Sequence, residues 1–317
     1  MKKWGRRLGT WLIGLMLCGA LTAAGALWLG NRPAEPVSQE EIEQRYQKAV
    51  SWLKDHEMNA IYDANVALWM MVNTAAERTG DPYLHDVVQR ARTVMFAPPN
   101  TRIMLRRILD PGAQVDPMPL AKLRELPDYQ QFFVHALTCE PVQNTEVDTT
   151  RFLHGKVCPP MAPNILLGDP ACVTHHVMGL QFYLRSQCAG RQDAARLKET
   201  LLDDIETQLK ADVVMKDAYM QRVLVLVWQG RQDKVKPIWI RRVLDAQEAD
   251  GGWLGHRRLP ELPEAIQPWH WREVLARVWP ERFDPQWKPE DFHATAQGLL
   301  LLALLKAPPA SSTPTTH

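Results

Sequence analysis

Apolar residues recur at helical spacing along most of the chain, and the first such stretch carries no charge. Residues 11–29 pass without an Asp, Glu, Lys or Arg, close to the roughly 20 residues an α-helix needs to cross bilayer hydrocarbon. Residues 11–30 are therefore predicted as a transmembrane helix, preceded by a basic N-terminus (1–10) and followed by a Pro-containing linker (31–37). Ser38 ahead of Glu40 and Glu41 marks the next helix start, with acids in its first turn. Further on, residues 64–78, 219–228 and 292–306 are apolar nearly all round, the pattern of inner helices in a larger helical assembly. No stretch of comparable length alternates as a half-buried strand does. Residues 38–307 are thus expected to be all-helical, and the tail PPASSTPTTH (308–317) has a composition that stays disordered.

The helices are punctuated at intervals. Gly190-Arg191-Gln192-Asp193 recurs as Gly230-Arg231-Gln232-Asp233, each copy following an apolar helix and preceding an amphipathic one. Thr79-Gly80-Asp81-Pro82 plays the same part earlier, Gly closing one helix and Asp-Pro opening the next. A period of roughly 40 residues predicts stacked or circular helix hairpins. Residues 140–171, with Pro141, Pro159, Pro160, Pro163 and Pro170, and residues 254–288, rich in Pro and Trp, break the pattern as long excursions.

Charge places the chain. Lys2, Lys3, Arg6 and Arg7 precede the apolar run, while Glu35, Glu40, Glu41 and Glu43 follow it with only Arg32 near the exit. The positive-inside rule then predicts a single pass through the inner membrane, with the N-terminus cytoplasmic and the main domain periplasmic. Ala24-Gly25-Ala26 offers a cleaved signal peptide as the alternative. The run continues through Leu27, Trp28 and Leu29, and Trp4, Trp11 and Trp28 suit the two interfaces, which favours an uncleaved anchor. Leu17 before Cys18 argues against lipid attachment there. Taking the four N-terminal cations from the net charge of +1 leaves −3 for the exported part. The basic field that nucleic acid requires is missing, and no nucleic-acid partner is expected.

Export makes disulfides the default for Cys139, Cys158, Cys172 and Cys188. A helix over 174–187 would hold Cys172 and Cys188 about 24 Å apart, beyond the roughly 7 Å limit of a bridge. Two full connectivities remain: Cys139 to Cys172 with Cys158 to Cys188, or Cys139 to Cys188 with Cys158 to Cys172. The first is favoured because it sets the end of one helix beside the start of an antiparallel neighbour; a single bridge with two free thiols also remains open. A zinc set of Cys158, Cys172, His175 and His176 is the weaker reading, since Cys172-x2-His175 is only half of a ligand knuckle. No metal and no cofactor is expected.

LDAQEADGGW at 244–253, followed after the excursion by DFHATAQGLLLLALL at 291–305, resembles the α/α-toroid superfamily. This is the helical barrel of terpenoid cyclases, protein prenyltransferases and several glycan-active enzymes. The matching residues are Gln247, Asp250, Gly251, Gly252, Trp253, His293 and Thr295, and the likeness is firm over about sixty C-terminal residues. It implies an α/α-toroid-like barrel of helix hairpins. Within it the turn reads as structural: Asp250 bonds backbone amides, Gly251 and Gly252 supply positive φ, and Trp253 packs over helix ends. The DDxxD and DxDD clusters of the cyclases are absent, Asp203-Asp204 lies on an amphipathic surface helix, and the prenyltransferase zinc set has no match. Those activities are not implied.

A glycan-active barrel needs two carboxylates at its mouth. Asp63, Asp217 and Asp291, at the starts of inner helices, are the candidates, with His175 and His293 as partners; each Asp suits an N-cap equally well. Trp269, Trp271, Trp279 and Trp287 are candidates to line a ligand mouth or to pack the excursion against the barrel. G-x-S-x-G, H-E-x-x-H, a P-loop and G-x-G-x-x-G are absent. Two function classes follow: a binding or assembly component of the bacterial cell envelope, with the inner membrane and an envelope protein or glycan as partners, or a glycan-active hydrolase or lyase.

Overall fold

Polar caps and glycines divide the apolar periodicity into helices where the sequence places them. The computed structural model describes residues 2–63, 65–97, 106–113, 119–143, 145–158, 171–212, 217–254 and 292–306, and in the first helix it describes solvent exposure at Gly14 and from Met16 onward. The helices are α1 (Lys2–Asn31), α2 (Gln39–Asp55), α3 (Glu57–Asp63), α4 (Val66–Thr79), α5 (Pro82–Met95), α6 (Arg106–Leu109) and α7 (Leu120–Glu125). They continue with α8 (Asp128–Thr138), α9 (Arg151–His154), α10 (Cys172–Arg185), α11 (Arg191–Ala211), α12 (Asp217–Trp228), α13 (Pro237–Asp245) and α14 (Phe292–Lys306). Among the described residues there is no strand, only an isolated bridge between Gln247 and Trp253. Among them, too, no helix is long and apolar enough to cross a membrane.

Local chemistry explains the boundaries. The Ser38 hydroxyl accepts from Glu41 N at 3.1 Å to start α2, and Asn65, not an aspartate, caps α4 by accepting from Ala67 N. Gly80 closes α4 in the left-handed region, and Asp81 opens α5 by accepting from Tyr83 N and Leu84 N, with Pro82 in the first turn. At the end of α12, Arg231 N bonds Leu226 O and Gly230 N bonds Val227 O, a Schellman closure around a left-handed glycine. The two Gly-Arg-Gln-Asp copies then diverge. Gly190 leads straight into α11, whereas Gly230 is followed by a 3-10 turn (Gln232–Lys234) before α13.

Packing centres on α14, whose residues from Phe292 to Leu305 are buried except His293 and which contacts α2, α4 and α12. Helix directions follow from side-chain contacts. Trp69 and Phe292, near the starts of α4 and α14, bring their rings within 4.9 Å, so these helices run parallel. Lys306 at the end of α14 meets Glu43 at the start of α2 at 2.8 Å, so this pair is antiparallel. Thr174 near the start of α10 donates to Gln221 near the start of α12. Tyr129 stacks on His175, Phe133 meets Phe182, and Cys139 bridges Cys188, so α8 and α10 run parallel over their whole length. Helix α11 runs antiparallel to its neighbours, its Lys198 ammonium donating to Gln181 of α10 and to Gln229 beyond α12. Short α6 ties these groups together: Arg107 donates to Leu137 O, Arg185 to Arg107 O and Arg92 to Leu109 O.

The parallel pair corrects the disulfide expectation. The bridges are Cys139–Cys188, with Cα atoms 5.1 Å apart, and Cys158–Cys172, at 5.8 Å. The favoured alternative assumed antiparallel neighbours. With α8 and α10 parallel their C-terminal ends coincide, so Cys139 meets Cys188, while Cys158 is left to meet the start of α10. Cys172 and Cys188 stay apart at the two ends of α10, as the helix requires.

Among the described residues one ion pair lies wholly inside this packing. Arg222 of α12 donates to Asp212, just past α11, at 2.7 Å, and both side chains are completely buried. Burial pulls the Arg222 pKa down and the Asp212 carboxylate works against that shift. Removing one partner leaves an uncompensated interior charge, which costs about 3–5 kcal/mol. Asp212→Ala is therefore expected to lower the unfolding free energy in urea by that amount. The double change Asp212→Leu with Arg222→Met should lose much less, and equal losses in the two proteins would contradict this account.

Candidate functional site

Two of the predicted site residues meet. Asp217 is the first residue of α12 and His293 the second of α14. The Asp217 Oδ2 atom lies 3.2 Å from His293 Nδ1, with side chains 25% and 39% exposed. A third residue completes the group: Gln297, one turn beyond His293 and fully buried, donates from Nε2 to Asp217 Oδ1 at 2.8 Å. The same amide nitrogen lies 3.3 and 3.4 Å from the two ring nitrogens of His293. Among the described residues Gln297 Oε1 has no partner. The group forms because α12 and α14 begin at the same end, which sets the first turn of one against the first turn of the other.

A carboxylate on Nδ1 fixes the orientation of an imidazole and favours the tautomer with its proton there, the arrangement of an oriented general base. Asp217 itself is held from two sides, by His293 and Gln297. Among the described residues the ionisable partner of Asp217 is a histidine; a glycosidase pair requires a second carboxylate.

The remaining candidates fall elsewhere. Asp63 is the last residue of α3, not the start of an inner helix, because the chain continues helical through Glu57–Asp63 and Asn65 takes the capping position. Asp291, Trp269, Trp271, Trp279 and Trp287 lie outside the described residues. His175 stacks on Tyr129 with ring centroids 4.2 Å apart. Cys158 and Cys172 are committed to a disulfide, which dissolves the Cys158, Cys172, His175 and His176 zinc set. No cluster of three or more ligating side chains occurs among the described residues. A cavity of about 340 Å³ opens between α5 and α6, lined by Gln89, Arg92, Thr93, Phe96, Arg106 and Asp110, away from Asp217 and His293.

The turn after α13 is tied down by hydrogen bonds, and one expectation about it is corrected. Asp250 Oδ1 accepts from Gly252 N, and Gln247 Nε2 donates to Arg45 O and Gly251 O. Trp253 donates from Nε1 to Val243 O and from its backbone N to Thr295 Oγ1, joining α13 to α14. Only Gly251 takes a positive φ, of 105°, and a Cβ there would collide with the Lys48 carbonyl; Gly252 does not need one.

Two histidines are buried: His176, which the sequence offered only as a zinc ligand, and His135, which it did not single out. His176 is fully buried, with Nε2 2.6 Å from Phe152 O. His135 is 2% exposed and bonds the backbone of Thr149. In both, Nδ1 has no partner among the described residues, so each ring sits neutral as a donor to the segment that carries α9. Burial drives both imidazole pKa values below the ordinary 6.5. Depressed folded-state values mean that the unfolded chain takes up protons first. The stability contribution is complete above pH 6.5 and is lost as pH falls below it. The unfolding free energy should therefore decline on acidification with a limiting slope of about 2.7 kcal/mol per pH unit from the two histidines. His135→Gln with His176→Gln should flatten that slope, as followed by urea unfolding between pH 7 and 5; an unchanged slope would assign the acid loss elsewhere.

No protein-family model matches this chain, nor does any curated protein or solved structure.

Proposed function

We propose that this chain is held by α1 in the inner membrane of a bacterial cell. Its periplasmic domain, an α/α-toroid-like ring of helix hairpins, serves as a binding or assembly component of the envelope. The observation that carries the reading is the surface of α1. Met16, Leu17, Leu21 and Trp28 are each between 60% and 73% exposed, and lipid is the environment that covers such a helix all round. Two disulfides point the same way, since they persist in oxidising compartments. The ring reading draws on the parallel set α4, α14, α12, α10 and α8, with α2 and α11 running the other way. It draws also on the Asp-Gly-Gly-Trp turn that hands α13 on to α14.

The topology has a direct measurement. Protein taken from cells without reductant and treated in denaturing detergent with a mass-adding maleimide should gain one adduct, at Cys18, and five once it is reduced. Four reactive thiols before reduction, besides Cys18, would place the domain in a reducing compartment and sink the reading. A stoichiometric protein recovered with the detergent-solubilised chain would support assembly.

A glycan-active hydrolase or lyase is the second reading, favoured by the oriented Asp217–His293 pair. In that case Asp217 and a second carboxylate, with Asp291 the nearest in sequence to His293, do the chemistry. Asp217→Asn and Asp291→Asn should each abolish release of fragments from cell-wall glycan while leaving the thermal midpoint within a few degrees. Wild-type protein that releases none would remove this reading.

A further inference from the structure

The joint between α1 and the domain is built, not loose. Asn31, the last residue of α1, donates from Nδ2 to Lys210 O at 2.8 Å and to Leu27 O at 2.9 Å, and its Oδ1 accepts from Lys236 Nζ at 2.9 Å. One amide thereby closes its own helix, catches the last turn of α11 and receives the residue that precedes α13. Gly30 beside it is buried, and α1 touches both α11 and α13. Lys236 is in turn fixed over the ring of Trp239, itself fully buried. Upstream of this joint the described part of α1 leaves the domain, with the large side chains of Met16, Leu17, Leu21, Leu27, Trp28 and Leu29 exposed.

The distances decide what lies at the joint. Leu29, the last apolar residue, precedes Asn31 by two positions, about 3 Å along a helix. The polar layer on each side of a bilayer is about 5–7 Å deep. If residues 11–30 span the membrane, Asn31 and the groups it binds sit in that layer. A flexible linker would let the domain stand off and turn; a helix end held to the domain through two hydrogen bonds, to Lys210 O and from Lys236 Nζ, does not. Arg32 and Lys210, both exposed, lie within a residue of this joint along their own segments, and long cationic side chains reach readily into a headgroup layer.

We propose that Asn31 is a rigid joint that seats one corner of the domain, where α11 ends and α13 begins, on the phospholipid headgroups. This inference rests on the membrane-anchor reading of α1. Helix α11 supplies an internal ruler, because Arg191 at its other end is about 29 Å from Lys210.

The test uses the full chain carrying Cys18→Ser, reconstituted in phosphatidylethanolamine and phosphatidylglycerol vesicles that contain a headgroup-attached nitroxide. A fluorophore is placed at Lys210→Cys in one protein and at Arg191→Cys in another. Quenching is expected to be several-fold stronger at position 210, and Asn31→Ala should bring the two positions close together without releasing the protein from the vesicles. Equal quenching with Asn31 intact, or a contrast that survives Asn31→Ala unchanged, overturns the joint while leaving the anchor standing. Failure of the chain to float with the vesicles overturns the anchor reading itself, and the joint with it.

Discussion

A helix that is apolar on every side must be surrounded, and α14 imposes that requirement on the rest of the domain. Its six leucines between positions 299 and 305 are all buried, and burying each contributes about 1.5–3 kcal/mol. Together they match the whole net stability of an ordinary domain, about 5–15 kcal/mol, so the fold cannot exist with this helix exposed. Helices α2, α4 and α12 meet the demand from three sides. Because two of them run parallel to α14, their first turns gather at one end. The polar group of Asp217, His293 and Gln297 is a by-product of that alignment: the ends of buried helices are where polar side chains find each other and the solvent.

What was legible in the chain was local. The Ser38 cap, the Gly80-Asp81-Pro82 break and the span of α14 could be read because each depends on residues within a turn or two. Helix direction could not. Whether α8 and α10 run parallel is decided by which faces bury together across some fifty residues, and the pairing of the cysteines followed that decision rather than their spacing. The misplacement of Asp63 has a smaller cause. A seven-residue helix carries too little periodicity to be separated from its neighbours, and α3 was invisible between α2 and α4.

The candidate site divides the same way. Asp217 and His293 were each picked out singly, as polar residues opening apolar helices, but eighty residues of sequence separate Asp217 from Gln297 and nothing local announces their bond. One signal was present: a glutamine inside the otherwise apolar run of α14 has to find a partner, since an amide buried without one costs free energy. His135 and His176 pose the same problem inside helices, and the chain solves it with backbone groups of Thr149, just before α9, and Phe152, within it. The loop around α9 is thereby held by two neutral rings and the disulfide at Cys158, so an irregular stretch stays ordered without periodicity of its own.

The two bridges are nested, the shorter one lying inside the interval that the longer one spans. A chain delivered to an oxidising space from its N-terminus presents Cys139 and Cys158 first, and these two are not partners. Any bond formed between them as they emerge has to be broken by thiolate attack before Cys172 and Cys188 can be joined correctly. In the periplasm proposed for it, the domain would draw on a disulfide-exchanging catalyst whenever that first bond forms, because its covalent order differs from its order of arrival.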